Sequence, residues 1–136
     1  MKKNGFTLVE LLAVLAVLAL LLTIAVPGIQ KMSYKIQNNM FCDKVEHILK
    51  GAQLYGDDNY DAIKAKSGQK DVIKVRDLVK HGYYKKDNNK EEDENMFVVD
   101  SRDNTSMMDE EITLYIKNNR VYATYNFRED DKEICK

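Results

Sequence analysis

Hydrophobic and polar residues divide this chain near residue 28. All 21 residues from Phe6 to Val26 are apolar except three, which are Thr7, Glu10 and Thr23. At the rise of about 1.5 Å per residue of an α-helix, this run is about 31 Å long, enough to cross the hydrocarbon core of a bilayer. Nearly all of the remaining charge follows the run. The pattern predicts a membrane-spanning helix that leads into a domain in water.

An amphipathic pattern continues beyond the apolar run and predicts a second helical stretch. Its apolar residues recur at spacings of four, three, four and three: Phe41, Val45, Ile48, Ala52 and Tyr55. These spacings place them on one helical face, which we expect to be buried. The helix is predicted from about Ile29 to about Tyr55, continuous or kinked with the apolar helix. Gly56 and the polar residues 57–59 are expected to end it.

A short helix is predicted over residues 75–81. Val75, Leu78 and Val79 would form its buried side. Gly82 follows them, and glycine is the residue type that most often ends a helix in a left-handed conformation.

The clearest β pattern lies near the C-terminal end. Apolar residues alternate with polar ones over residues 112–116 and again over residues 121–127. Asn118 and Asn119 lie between the two runs and suit a two-residue hairpin turn. That turn would align three apolar pairs on one side of the sheet: Ile116 with Val121, Leu114 with Ala123, and Ile112 with Tyr125. Residues 96–100 predict a further strand.

Together these elements predict an α+β fold. A long hydrophobic N-terminal helix continues into an amphipathic helix, which packs on a small antiparallel β-sheet. The chain of 136 residues has room for one such domain. Its formal net charge of −1 gives no global basic field of the kind that gathers nucleic acid.

The residues that flank the apolar run bear on how it meets the membrane. Lys2 and Lys3 precede it and would keep the N-terminus in the cytoplasm, which places everything after Pro27 outside. A cleavable secretory signal is the alternative, since it also has a basic start and an apolar centre. Residues 25–28 are a poor cleavage site for such a signal, because Pro27 lies beside the cut. We therefore favour the spanning helix.

Glu10 is the one acidic residue in the apolar run. An ionised carboxylate near the centre of a spanning helix costs about 2.5–3.5 kcal/mol, and less near a helix end, where it can reach the headgroups. One interpretation is that Glu10 only marks the membrane edge. The residues around it favour a specific role, because Gly5 to Glu10 read GFTLVE directly after a short basic leader.

This GFTLVE string, followed by an apolar run, resembles the N-terminus of type IV pilins and of the related pseudopilins of type II secretion and DNA-uptake machines. The resemblance implies that a prepilin peptidase cuts between Gly5 and Phe6 and that Phe6 becomes N-methylated. It implies also that Glu10 neutralises the terminal amine of a neighbouring subunit in a filament. Such a pairing would favour assembled subunits, because an unpaired carboxylate in lipid is costly.

The resemblance also implies three parts of the chain. They are a leader peptide over residues 1–5, a transmembrane and filament-core helix over residues 6–27, and an extracellular pilin domain over residues 28–136. Pro27 and Gly28 predict a bend, because proline removes a helical hydrogen-bond donor, and pilin helices commonly carry a proline here. Many pilins also have a glycine midway along this helix, where this chain has Ala19.

The implied partners are other pilin subunits, the prepilin peptidase, the pilus assembly machinery, and the membrane before assembly. The protein would lie in the inner or cytoplasmic membrane as a prepilin and later in an extracellular filament at the cell surface. No cofactor is implied, and a nucleic-acid partner stays open, as does the choice between adhesion, motility, secretion and DNA uptake. The alternative function is a monomeric membrane-anchored binding or sensor domain, in which Glu10 is incidental.

Cys42 and Cys135 are the only two cysteines, and both would lie outside the membrane. A thiol pair in that location favours a disulfide over a catalytic or metal site. Two free thiols are the alternative. The resemblance favours the disulfide, because many pilins tie their C-terminal region to the rest of the domain.

Signals for catalysis or metal binding are weak. His47 and His81 have no recognisable ligand cluster around them in the sequence. Residues 57–61 begin like a calcium loop, but Ala62 replaces the turn glycine and Gly68 replaces the bidentate glutamate. No phosphate-binding glycine loop, nucleophile elbow or metalloprotease motif occurs. We expect a structural subunit and not an enzyme, with the acidic run 87–95 as a solvated loop.

Overall fold

The computed structural model describes residues 5–87 and 93–135. Its α-helices are α1 (Leu8–Asp58), α2 (Tyr60–Ala65) and α3 (Val75–Lys80), and its strands are β1 (Lys70–Lys74), β2 (Glu111–Lys117) and β3 (Arg120–Tyr125). The long N-terminal helix followed by a three-stranded antiparallel sheet confirms the predicted α+β fold. Residues 1–4 of the predicted leader and residues 88–92 of the acidic run lie outside the described residues.

The first of two units ends at Ile36 and consists of residues 5–7 and the N-terminal part of α1. Every described residue from 5 to 36 is exposed in the isolated chain. Among the described residues, α1 is the one helix long and apolar enough to cross a membrane. A helix that is apolar on all sides needs lipid or other protein around it. The domain boundary expected between residues 27 and 28 marks the end of the apolar run and stays a prediction.

The second unit begins at Gln37 and has one hydrophobic core. Four α1 residues that the spacing places on one face are buried as predicted: Phe41, Val45, Ile48 and Ala52. Tyr55, the fifth, is partly buried against the same core. Ile112 and Leu114 of β2 are fully buried in that core, so the amphipathic part of the helix packs on the sheet.

The hairpin of β2 and β3 has the predicted register. The three expected pairs are observed: Ile116 with Val121, Leu114 with Ala123, and Ile112 with Tyr125. Asn118 and Asn119 have φ angles of 51° and 60°, which asparagine tolerates better than most other residues. The turn and the alternation therefore favour the same register, since a slip by one residue would expose the buried set.

The strand predicted over residues 96–100 is wrong. Glu94–Met96 forms a short 3₁₀-helix, and Val99 makes only an isolated bridge with Ser106. Buried Val98 fills the core from a loop, so its burial does not require a strand. The third strand is β1, which pairs with β2. The sequence marks β1 poorly, because its two apolar residues, Val72 and Ile73, are adjacent instead of alternating.

The C-terminal end of α1 also differs from the prediction. The helix continues to Asp58, and α2 follows after a single residue. Gly56 does not end the helix but is buried, and a Cβ atom there would lie 2.5 Å from Cγ1 of Val121. This glycine therefore serves the close approach of the helix to the sheet.

The predicted short helix is confirmed as α3, and Gly82 follows it with a φ of 79°. Val75 and Leu78 are buried as expected. Val79, also expected to be buried, is only partly so and packs at the margin of the core.

Gly51→Ala should destabilise this domain. An added Cβ would lie 2.5 Å from the main-chain oxygen of Tyr83, which follows α3. Overpacking costs about 1–3 kcal/mol, against a gain of about 1 kcal/mol from alanine in a helix. Thermal unfolding of the full chain in detergent measures the net loss. Gly28→Ala is the matched control, because a Cβ there meets no atom within 4 Å, and equal losses in the two variants would contradict the prediction.

Candidate functional site

The first turn of α1 contains Glu10 and a reciprocal set of hydrogen bonds with Thr7. The main-chain N–H and the hydroxyl of Thr7 both donate to Glu10 Oε2, at 2.8 and 3.0 Å. The main-chain N–H of Glu10 donates in return to Thr7 Oγ1 at 3.3 Å. This capping box satisfies N–H groups that the first turn of a helix otherwise leaves unpaired.

The capping box is a role for Glu10 that the sequence analysis does not predict, although a threonine three residues before a glutamate is its usual signal. Both donors from Thr7 go to Oε2. Within residues 5–87 and 93–135, Oε1 of Glu10 accepts no hydrogen bond. The carboxylate is therefore held at the helix start with one oxygen available to a donor from another molecule.

The Gly5–Phe6 bond, the predicted cleavage site, lies before α1 in residues without regular secondary structure. Phe6 is 84% exposed, and a Cβ added at Gly5 would meet no atom within 4 Å. The bond is therefore accessible to a peptidase. Cleavage at this bond and N-methylation of Phe6 stay predictions.

Pro27 and Gly28 lie inside α1, and the helix is continuous through both residues. Pro27 has no N–H to donate to the carbonyl of Thr23, so one helical hydrogen bond is missing. The Thr23 hydroxyl itself donates to the carbonyl of Leu20 at 2.7 Å. The bend expected at Pro27 and Gly28 stays a prediction.

Cys42 and Cys135 form a disulfide bond in the structure, with their Cα atoms 5.3 Å apart. Cys42 belongs to α1, and Cys135 lies in the segment after β3. The bond thus closes a covalent loop that contains every described strand, and it ties the C-terminal segment to the helix.

Removing this disulfide should lower the free energy of unfolding by about 2–5 kcal/mol, because the closed loop restricts the unfolded chain. Denaturant unfolding of a Cys42→Ser, Cys135→Ser double variant measures the loss, and reduction of the parent protein should reproduce it. In protein exported by the native host, alkylation without reductant should label neither cysteine. Labelling of both would mean that non-covalent contacts alone hold the C-terminal segment.

A second attachment of the C-terminal segment is an ion-pair network around Arg102. The guanidinium contacts Asp100 through Nε at 3.0 Å and Nη2 at 2.6 Å, and it contacts Asp131 through Nη1 at 2.5 Å. Asp100 and Asp131 are 1% and 6% exposed. The guanidinium also stacks 3.7 Å from the ring centroid of Phe41 in α1.

The Arg102 network joins α1, the loop around residue 100 and the C-terminal segment, mainly through ion pairs. Hydrogen bonds to Asp100 and to Asp131 raise the pKa of the Arg102 guanidinium above its ordinary value. The arginine therefore stays charged and pairs with both buried acids. Sequence reasoning does not predict the network, since no local motif connects residues so far apart.

The structure does not assemble the residues considered as metal ligands. Asp58 lies at the end of α1, where its Oδ2 accepts a hydrogen bond from the Tyr83 hydroxyl at 2.7 Å. Across residues 5–87 and 93–135, no group of three or more His, Cys, Asp or Glu side chains is arranged to hold a metal ion.

Comparison with known families agrees with the resemblance of the N-terminal residues to a prepilin. Residues 1–26 match the family described as the prokaryotic N-terminal methylation motif. This motif is the prepilin signature of type IV pilins and pseudopilins, which confirms the resemblance seen in residues 5–10. The match covers the N-terminal segment alone and supports a type IV pilin-like prepilin, the class of chain that a prepilin peptidase processes. Searches of curated proteins and of solved structures find no significant match.

Proposed function

We propose that this protein is a structural subunit of an extracellular filament. In this proposal a prepilin peptidase cuts between Gly5 and Phe6, Phe6 becomes N-methylated, and the cut chains polymerise through α1. The observation that carries the proposal is the match of residues 1–26 to the methylation motif, with Glu10 in the first turn of the apolar helix. The function is assembly and not catalysis.

The exposed apolar surface of α1 gives the physical reason for assembly. Every residue from 5 to 36 is exposed in the isolated chain, and most of the side chains from 6 to 26 are apolar. The bilayer covers this surface before assembly, and the same helices of other subunits cover it in the filament. Apolar packing between helices then supplies most of the cohesion.

Glu10 gives the assembly its register. After the cut, Phe6 carries the terminal ammonium, and the unpaired Oε1 of a neighbouring Glu10 is an acceptor for it. The pair removes the cost of an isolated charge in an apolar surrounding, so the paired position is favoured over others along the helix. Helices that are otherwise free to slide are thereby held at one axial position.

Protein from the native host should begin at a methylated Phe6. Mass spectrometry of the N-terminal peptide, from the membrane fraction and from sheared filaments, measures this. Gly5→Val should block the cut, because a branched side chain enters the position next to the scissile bond. Gly28→Val, inside α1 and far from that bond, should leave cleavage intact. Filaments whose subunits still carry Met1 would contradict the proposed processing.

The filament itself is tested by shearing cells and examining the released material by electron microscopy and immunoblotting. Wild-type protein should be released as filaments, and Gly5→Val protein should stay in the membrane. A chain that is correctly cut but never leaves the membrane would instead support the monomeric membrane-anchored binding or sensor domain.

A further inference from the structure

The outer face of the sheet has a stacked pair of tyrosines that the core does not use. Tyr115 of β2 and Tyr122 of β3 are direct neighbours in the register. Their ring centroids are 5.5 Å apart with an angle of 19° between the planes. Both rings are partly exposed, because their strand neighbours Leu114 and Ala123 face the core on the opposite side.

Three cationic residues surround the tyrosine pair. Lys117 and Arg120 are opposite each other in the register, and Lys70 of β1 is opposite Tyr115. We call Tyr115, Tyr122 and these three cations the tyrosine face. Within residues 5–87 and 93–135, none of the three cations makes an ion pair or a side-chain hydrogen bond.

The cations of the tyrosine face are not explained by stability. Like charges directly opposite each other across two strands are destabilising, and Lys117 and Arg120 have this arrangement. The acidic residues near the tyrosine face either pair with other cations or lie far from its three cations. Asp71 pairs with Lys66 at 2.5 Å, and Glu111 lies at the far end of β2, opposite Lys74. Asp57 lines the same surface depression as Arg120 but forms no ion pair with it.

One side of the tyrosine pair is also open to a planar group. β3 is an edge strand in the order β1-β2-β3, so within the described part of the chain no strand lies beyond Tyr122 on the side away from Tyr115. Strands lie about 4.8 Å apart and side chains on one face repeat about every 7 Å, so the three cations span about 10–12 Å. That distance corresponds to about two or three nucleotides of a single strand.

We propose that the tyrosine face binds single-stranded nucleic acid. Lys70, Lys117 and Arg120 contact phosphates, and an unpaired base stacks on Tyr122. Sequence-tolerant binding of single strands combines these two contacts, charge along the backbone and stacking on aromatic rings. A duplex offers the same phosphates but not the base faces. The site is local, because the chain as a whole has a net charge of −1.

The charge contacts are tested with full-length protein in detergent micelles, by fluorescence anisotropy of a labelled oligothymidine of about 20 nucleotides. Three phosphate contacts predict a slope of about −2 for the logarithm of the binding constant against the logarithm of salt concentration. The double variant Lys117→Gln, Arg120→Gln should weaken binding about tenfold. It should also change the slope from about −2 to between about −1 and zero. Lys80→Gln, an exposed lysine of α3 outside this face, is the matched control and should change neither.

The stacking contact distinguishes nucleic acid from other polyanions. Tyr122→Leu should weaken oligothymidine binding about tenfold, whereas Tyr122→Phe should retain it, since both tyrosine and phenylalanine stack. Heparin, which has charge but no bases, should bind less tightly than oligothymidine, and Tyr122→Leu should leave the affinity for heparin unchanged. A duplex of the same length should also bind less tightly. The proposal is overturned if oligothymidine does not bind. It is also overturned if oligothymidine and heparin bind with equal affinity and Tyr122→Leu changes neither affinity.

Discussion

Glu10→Ala subunits should be nearly excluded from filaments when they are co-expressed with wild-type subunits. The variant loses the carboxylate that we propose to pair with a neighbour's terminal ammonium, and it loses the acceptor of the Thr7 capping box. Beside the variant, the neighbour's terminal ammonium would be unpaired in an apolar surrounding. The free energy of that unpaired charge is enough to deplete the variant about tenfold or more. Cleavage and membrane insertion should be unchanged, because Gly5 and Phe6 remain and the run becomes more apolar. The ratio of variant to wild type in sheared filaments, against that in the membrane, measures the effect.

Two further variants separate the charge of Glu10 from its other properties. Glu10→Gln keeps an oxygen acceptor for Thr7 but carries no charge, so it should be excluded almost as strongly as Glu10→Ala. Thr23→Ala is the matched control, since its hydroxyl bonds only to the carbonyl of Leu20 within the described residues, and it should enter filaments normally. If Glu10→Ala enters as readily as wild type, Glu10 only marks the membrane edge.

Arg102→Leu should lower the free energy of unfolding of the domain by about 3–5 kcal/mol. The substitution leaves the carboxylates of Asp100 and Asp131 buried without their partner, and it removes the stacking on Phe41. Removing one member of a buried ion pair is costly because the remaining charge has no water around it. Chemical denaturation of the full chain in detergent, with the disulfide intact, measures the loss.

The control for this prediction is Arg128→Leu. Arg128 pairs with Glu110 at 3.0 Å, but its side chain is 55% exposed, so the loss should stay below about 1 kcal/mol. Adding Asp100→Asn and Asp131→Asn to Arg102→Leu should recover part of the stability, because the buried charges are removed as well. Equal losses for the two arginine variants would show that burial does not determine the strength of the Arg102 network.

The parts of the fold that sequence predicts are those specified by short-range periodicity. The 21-residue apolar run, the helical spacing from Phe41 to Ala52 and the Asn118–Asn119 turn each depend on residues close in the chain. The register of β2 and β3 follows from the same local pattern, since a two-residue turn and alternation leave one alignment that buries all the apolar side chains.

The parts that sequence does not predict depend on long-range contacts. β1 forms because β2 offers it an edge, and its own residues carry little β pattern. Residues 96–99 are apolar, which resembles a strand in sequence, but Val98 enters the core from a loop. Asp100, Arg102 and Asp131 are ordinary surface residues by type, and only the fold brings them together. The opposite holds at the N-terminus, where the motif of residues 1–26 is local and recognisable.

The disulfide between Cys42 and Cys135 has a mechanical consequence for a subunit that carries tension. Its partners are 93 residues apart, so the intervening chain, which would extend to roughly 300 Å, is enclosed in a covalent loop. A force applied between α1 and the C-terminal end passes through the sulfur–sulfur bond and bypasses the sheet. Pulling single molecules under oxidising conditions should therefore show no extension from the sheet, and adding reductant should release that hidden length.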